Sequence, residues 1–354
     1  MSKTKFLSPG ALPQWLSELA AKATVYAPRR EGRAVVYRPH IEGEAPELAL
    51  RPTESAKHVL FPRAEALFSF TKQGEAEKSG RRLEVQEPAE PGPAVIFGAL
   101  SCDARGFLSF DPVYEGSGTD GEARDPYYLK RREKTALVVR ACKRPLSTCF
   151  CHWVSGGPAS GQGADVLATE IEGGFFLQAF TERGDALLDA PSLAEATAEQ
   201  RAEADKAHCA ADKAMGEIPD LGPAQESLLD LFDSAEFWRD RSAHCLSCGA
   251  CTYLCPTCYC FNITDESSGL AGVRLRSWDN CMSPQFTLEA SGHNPRPGKS
   301  ARLRNRVGHK FSYYPKIHGG RFSCCGCGRC IKSCPSSVDI RKIVLDAIKE
   351  VGHV

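Results

Sequence analysis

Two stretches in the last third of the chain repeat one spacing of cysteines. Residues 245–256 read CLSCGACTYLCP, and residues 324–335 read CCGCGRCIKSCP. In each stretch four cysteines follow the pattern C-x₂-C-x₂-C-x₃-C, and a proline comes directly after the fourth cysteine. Two independent matches to one spacing leave little room for chance, so these two arrays decide the class of the C-terminal part of the chain.

The spacing is that of bacterial ferredoxins, in which three cysteines hold one [4Fe–4S] cube and the fourth crosses to the other cube. Two-residue gaps wrap the backbone around a cube, and the proline lets the chain leave after the fourth ligand. The arrays therefore predict two clusters, and the crossing brings them close enough for electron tunnelling. The first set of ligands is Cys245, Cys248, Cys251 and Cys334; the second set is Cys324, Cys327, Cys330 and Cys255.

Paired structural zinc sites are the alternative, because four cysteines also satisfy tetrahedral zinc. Zinc sites are usually built from separated C-x₂-C pairs, whereas each array here is a run of three cysteines plus one, followed by proline. The spacing therefore favours iron–sulfur clusters over zinc.

Composition indicates a globular protein without a membrane span. The chain has 354 residues, of which 42% are hydrophobic and 25% charged, and its length predicts about two domains. It has no run of 18 apolar residues and no secretory signal at its N-terminus, so we expect a cytoplasmic protein. Its 17 cysteines fit metal ligation better than disulfides in that compartment.

The apolar pattern predicts an α+β protein with an N-terminal α/β domain and a mostly helical ferredoxin-like domain that carries two [4Fe–4S] clusters. Helices are expected around 12–19 and 65–68, and buried strands at 94–98, 135–140 and 174–180. The expected division is a partner-docking domain over 1–190, a helical linker over 191–241 with one helix through 228–238, and the two-cluster domain over 242–354.

The segment after the second array favours the helical kind of two-cluster domain over the compact β-sheet kind. An apolar stripe runs from Ile340 to Val351 at helical spacing. Ser336 or Ser337 is predicted to cap this helix, with Asp339 in its first turn. In addition, 68 residues lie between Cys255 and Cys324, whereas a compact ferredoxin separates its motifs by little more than a hairpin.

Several cysteines lie outside the two sets. Cys102, Cys142, Cys149 and Cys151, here called the third set, could converge from loops at the ends of neighbouring strands. A third iron–sulfur cluster is one interpretation, and buried thiols or a redox pair are the others. Cys258, Cys260 and Cys281 either line the first cluster or complete another site, and Cys325 is interpreted as a non-ligand.

Charge is divided unevenly along the chain. The formal net charge is zero, but residues 1–235 carry −8 and residues 236–354 carry +8. Part of the positive excess can balance anionic clusters, which weakens a nucleic-acid interpretation. A run of basic residues without acidic ones has two interpretations. It either forms a solvated face, or it shields the clusters and docks an acidic partner. Its members are Arg296, Lys299, Arg302, Arg304, Arg306, Lys310, Lys316 and Arg321.

Short motifs over nearly the whole chain resemble one known family. They are 61–65 (FPRAE), 97–105 (FGALSCDAR), 125–128 (DPYY), 149–151 (CFC), 255–260 (CPTCYC), 278–281 (WDNC) and 292–297 (GHNPRP), besides the two arrays. The resemblance is to the family that contains the β subunit of cytoplasmic sulfhydrogenases and an iron–sulfur component of anaerobic sulfite reductase.

This resemblance implies an iron–sulfur electron-transfer subunit of an anaerobic, cytoplasmic oxidoreductase complex. Such a protein lies between a flavin-bearing subunit that handles NAD(P)H and a terminal catalytic or further relay subunit, as in hydrogenase or sulfite reductase assemblies. It implies no catalytic residue in this chain. The alternative is a catalytic reductase that acts directly on sulfite or a disulfide. No partner nucleic acid and no membrane span are expected.

Overall fold

The computed structural model describes residues 3–73, 82–117 and 123–352. Its strands are β1 Thr4–Leu7, β2 Thr24–Glu31, β3 Ala34–Pro39, β4 Ala64–Gln73, β5 Arg82–Gln86, β6 Ala94–Leu100, β7 Thr135–Arg140, β8 Val166–Ile171, β9 Gly174–Ala179, β10 Ala194–Glu195, β11 Phe261–Ser268 and β12 Ala271–Trp278. Its α-helices are α1 Leu12–Ala20, α2 Lys57–Leu60, α3 Ser101–Tyr114, α4 Pro126–Lys134, α5 Glu182–Leu187, α6 Ala198–Lys213, α7 Ala224–Asp230, α8 Ala235–Ser242, α9 Ala250–Tyr253, α10 Lys299–Gly308, α11 Tyr314–Ile317, α12 Arg329–Lys332 and α13 Ile340–Val351.

The larger sheet lies in the N-terminal part, in the strand order β10-β1-β9-β8-β7-β6-β2-β3. Strands β2, β6, β7 and β8 run parallel to one another, and the outer pairs are antiparallel. Both faces are covered, because Val95 and Phe97 of β6 belong to one core cluster and Ile96 to another. A parallel sheet buried on both faces reads as a continuous apolar run, which is why the sequence predicts β6 and β7 correctly, although it did not predict β2 and β8.

A smaller sheet joins distant parts of the chain. Its order is β11-β12-β4-β5, so the hairpin between the two cysteine arrays pairs with a strand from the N-terminal part. Sequence analysis did not predict this hairpin, because every residue of β11 is exposed and gives no apolar alternation. The helix expected at 65–68 is wrong, since those residues lie in β4, where pairing with β12 outweighs local preference.

The helices of the C-terminal part pack around their own apolar core. Residues Ile340, Val344 and Ile348 of α13 are buried there, as the stripe predicts. Asp339 is the N-cap of α13, because its side chain accepts a hydrogen bond from the backbone of Arg341 at 2.9 Å, so the predicted serine caps are wrong. The single helix expected through 228–238 is instead divided into α7 and α8.

The mixed architecture confirms the α+β fold class. The division at 190 and 241 stays a prediction, and the smaller sheet pairs strands from both sides of it. In the described ranges, none of the helices combines the length and the apolar character needed to span a bilayer.

Candidate metal centres

The first set of cysteines lines one pocket, although its members come from both arrays. Cys245, Cys248 and Cys251 surround about 450 Å³ of empty space together with Cys334 from the second array. The loop before α9 turns sharply at Ser247 and Gly249, which both have positive φ. This turn leaves the Ser247 amide 3.4 Å from the sulfur of Cys245, and the Val338 amide lies 3.3 Å from the sulfur of Cys334. Such amide donors stabilise negative charge on sulfur.

The second set lies deeper. Cys255, Cys324 and Cys327 are buried, and Cys330 is half-buried. Burial raises the pKa of the Cys324 thiol to about 11, and the nearby sulfurs of Cys255 and Cys327 contribute to the rise. Burial also raises the pKa of Cys330 to about 12, again with contributions from the other members. The four sulfurs are therefore close enough to influence one another's charge. Cys330 also lines the first pocket, so the two sets are adjacent.

The remaining C-terminal cysteines pair with each other or with members of the second set. The thiol of Cys258 donates to Cys255, that of Cys325 to Cys327, and that of Cys281 to Cys260. The bond from Cys325, together with Arg329, lowers the pKa of Cys327 to about 7 despite burial. Across the part of the chain that the structure describes, no group of three or more His, Cys, Asp or Glu side chains is arranged to hold a single metal ion.

Buried cations lie beside these sulfurs. Arg306 is 4% exposed and lines the first pocket, and its Nε atom has no acceptor. Burial lowers the pKa of Arg306, but the sulfurs of Cys251 and Cys330 outweigh burial and raise it overall. Lys310 is 3% exposed and donates from Nζ to Thr257 Oγ1 at 2.8 Å and to the Ser323 carbonyl at 3.0 Å.

Buried charges are normally paired with an opposite charge. Among the described residues, neither Arg306 nor Lys310 has an acidic partner within ion-pair distance. An anionic group held by the neighbouring cysteines would supply the missing countercharge, so this surrounding fits an iron–sulfur cluster. The residues of the basic run therefore differ in burial. Arg302, Arg306 and Lys310 are buried, whereas Lys316 and Arg321 are exposed.

The third set also meets at one pocket. Cys102, Cys142, Cys149 and Cys151 all line one pocket at the carboxyl ends of β6 and β7. Arg51 and Cys327 line it as well. Sequence analysis missed Arg51, because an isolated arginine in a loop carries no local signal of what it will contact.

A buried ion pair joins the third set to the second array. Asp103 follows Cys102 in α3, and its carboxylate accepts hydrogen bonds from Arg329 Nη1 at 2.6 Å and Nη2 at 3.1 Å. Asp103 and Arg329 are 1% and 4% exposed, so the pair is shielded from water. The N-terminal sheet and the second array are thereby fixed against each other.

Motifs that are far apart in the sequence form one buried cluster. Arg276 of β12 pairs with Glu65 of β4 and with Asp125, which precedes α4. The rings of Phe61 and Trp278 stack at 6.2 Å. These contacts attach the smaller sheet to the N-terminal core.

Comparison with known proteins identifies the class of this chain. A family model described as a 4Fe-4S dicluster domain matches residues 244–338, which include both arrays and the hairpin between them. The chain is therefore an iron–sulfur protein whose dicluster domain implies two [4Fe–4S] clusters. Sulfhydrogenase 2 subunit beta of Pyrococcus furiosus is 30% identical to this chain over an alignment 356 residues long. The alignment covers 96% of this chain and 96% of that protein. The chain belongs to the sulfhydrogenase subunit beta family, which confirms the resemblance. No solved structure matches it.

Proposed function

We propose that this chain relays single electrons within a cytoplasmic oxidoreductase complex. Its partners are a flavin-bearing subunit that handles NAD(P)H and a terminal catalytic or further relay subunit. The first set would hold one [4Fe–4S] cluster and the second set the other. The observation that supports this most is the crossing, since Cys334 of the second array lines the pocket of the first.

When bound, such clusters accept and pass on one electron at a time. The chain's own residues set the conditions for that exchange. The cysteines and their amide donors surround the site and stabilise negative charge, while Arg306 and Lys310 supply buried positive charge beside it. None of these groups has to move a proton or attack a substrate, so a relay needs no general acid or base.

The two sets differ in their distance from the surface. Cys248 of the first set is exposed, and the neighbouring Leu246 side chain is 69% exposed. The second set is mostly buried. A metal site with one ligand at the surface can exchange electrons with a partner there, so we infer that one partner docks over residues 245–248.

The proposal can be tested by separating the chain from its partners under anaerobic conditions. We expect NAD(P)H to reduce both clusters only when the flavin-bearing partner is present. EPR would monitor the reduction. We also expect the isolated chain, reduced by dithionite, to leave sulfite and a small disulfide unchanged. Turnover of either compound by the isolated chain would contradict the relay and favour a catalytic reductase.

Replacing Arg306 by methionine is expected to make the first cluster harder to reduce. Reduction adds a negative charge, and the buried guanidinium stabilises that charge more than methionine can. The midpoint potential of the first cluster should therefore become more negative in an EPR-monitored redox titration.

Arg304→Met is the matched control for this change, because Arg304 lies on the same helix but its guanidinium covers the ring of Phe232 at 3.8 Å. We expect the control to retain the wild-type potential. Equal potentials in Arg306→Met and the wild type, at full iron content, would show that Arg306 does not stabilise the reduced cluster.

A further inference from the structure

We propose that Cys102, Cys142, Cys149 and Cys151 hold a third [4Fe–4S] cluster, in the N-terminal part of the chain. This inference rests on the proposed function, because it extends the same electron path. Nothing in the dicluster match covers these cysteines, which all lie before residue 244.

The sheet topology brings the four sulfurs together. Strands β6 and β7 are parallel neighbours, so their carboxyl ends lie at the same edge of the sheet. Cys102 lies at the start of α3, just after β6, and Cys142 follows β7 by two residues. Ligand crevices in such sheets lie at this edge, outside the carboxyl ends of the strands.

The loop that carries the other two cysteines is held by backbone hydrogen bonds. The Cys142 amide donates to the Pro158 carbonyl at 2.8 Å, and Ser101 Oγ donates to the same carbonyl at 3.1 Å. The Leu146 amide lies 3.3 Å from the sulfur of Cys149. The loop therefore arranges sulfurs and an amide donor around one pocket.

Arg51 distinguishes a cluster from the alternatives. Its Nη1 atom donates to the sulfur of Cys149 at 2.8 Å, and its Nη2 atom donates to the Cys327 carbonyl at 2.7 Å. Within the described ranges it has no acidic partner. A disulfide or neutral thiols would leave this half-buried guanidinium without a countercharge at the sulfurs that it contacts. Four thiolates around a cluster supply that charge.

The pocket of the third set adjoins the second set of cysteines. Gly326 and Cys327 line it, and the Phe150 amide donates to the Gly326 carbonyl at 2.8 Å. The approach is so close that a Cβ on Gly326 would lie 2.4 Å from the Phe150 carbonyl oxygen. On its other side Cys142 also lines an open groove with Arg140, Lys143 and Arg144. The three sets therefore form a continuous row, with the third set at a basic surface and the first set near Leu246.

Iron and acid-labile sulfide analysis of the anaerobically purified chain tests the proposal directly. We expect about twelve iron atoms per chain, about four for each cluster, against about eight if only the C-terminal clusters exist. Mössbauer spectra should show all iron in [4Fe–4S] form. About eight iron atoms in fully reconstituted wild-type protein would overturn the proposal without any variant.

Two variants assign the extra iron. Cys149→Ala/Cys151→Ala should lose about four iron atoms and keep the EPR signals of the C-terminal clusters. Cys209→Ala is the control, because Cys209 is exposed on α6 and should change nothing. An unchanged iron count in the double variant overturns the proposal.

The proposal of a third cluster and the assignment of the two C-terminal clusters are contradicted by different results. Cys248→Ala removes a member of the first set, which takes no part in the third pocket. If Cys248→Ala loses iron while Cys149→Ala/Cys151→Ala does not, the third cluster is wrong and the proposed function stands. If Cys248→Ala loses none, the assignment of the first set fails instead.

Discussion

Replacing Cys334 by alanine is expected to remove the first cluster, although Cys334 belongs to the second array. Its sulfur lines the same pocket as Cys245, Cys248 and Cys251, so its loss leaves that cluster with three ligands. Cys255→Ala should instead remove the second cluster, although Cys255 belongs to the first array. Each variant should lose about four iron atoms, with loss of one EPR signal and retention of the other.

Combination with Cys248→Ala shows which cluster each variant affects. If ligands cross, Cys248→Ala/Cys334→Ala should lose no more iron than either single variant, because both changes act on one cluster. Cys248→Ala/Cys255→Ala should lose about eight iron atoms, because the two changes act on different clusters. The reverse pattern would show that each array holds its own cluster.

Asp103→Ala is expected to cause a large loss of stability, although it spares every cysteine. The substitution leaves the Arg329 guanidinium buried without its carboxylate. Removing one partner of a buried ion pair typically costs about 3–5 kcal/mol. The midpoint of anaerobic urea unfolding, followed by tryptophan fluorescence, should therefore fall sharply relative to the wild type.

Two comparisons test that the effect comes from the unpaired charge. Asp265→Ala breaks an exposed pair with Arg274 and should hardly move the midpoint, since water screens such a pair. Asp103→Leu/Arg329→Met removes both charges and should recover much of the lost stability. A midpoint for Asp103→Ala equal to that of Asp265→Ala would show that the ion pair does not stabilise the fold.

Prediction from the sequence succeeded where the signal is local. The cysteine spacing indicated a two-cluster domain, which the family match over 244–338 confirms. The apolar runs at β6, β7 and β9 and the stripe of α13 are also local patterns, and they predicted their elements correctly. The ligand assignments themselves stay predictions until the iron counts are measured.

Prediction failed where partners are distant in the sequence. The hairpin of the exposed strand β11 and the mostly half-buried strand β12 is stabilised by pairing with β4, which no local window of sequence contains. Glu65 and Asp125 belong to separate motifs and Arg276 belongs to none, yet the three residues form one ion-pair cluster. The basic run read as one feature, whereas the turns of α10 direct Arg302 and Arg306 inward and leave Lys316, beyond that helix, exposed.

The amino-acid sequence alone determined that this is an α+β iron–sulfur protein, because metal-ligand spacing and apolar periodicity are properties of neighbouring residues. Only the tertiary structure decided that Cys334 lies in the pocket of the first set and that four N-terminal cysteines surround one cavity. It also decided that Arg306 and Lys310 lie buried, and Arg51 half-buried, beside sulfur. These facts depend on the packing of elements that are far apart in the chain, in which a buried cation must find an anion that the local sequence does not specify.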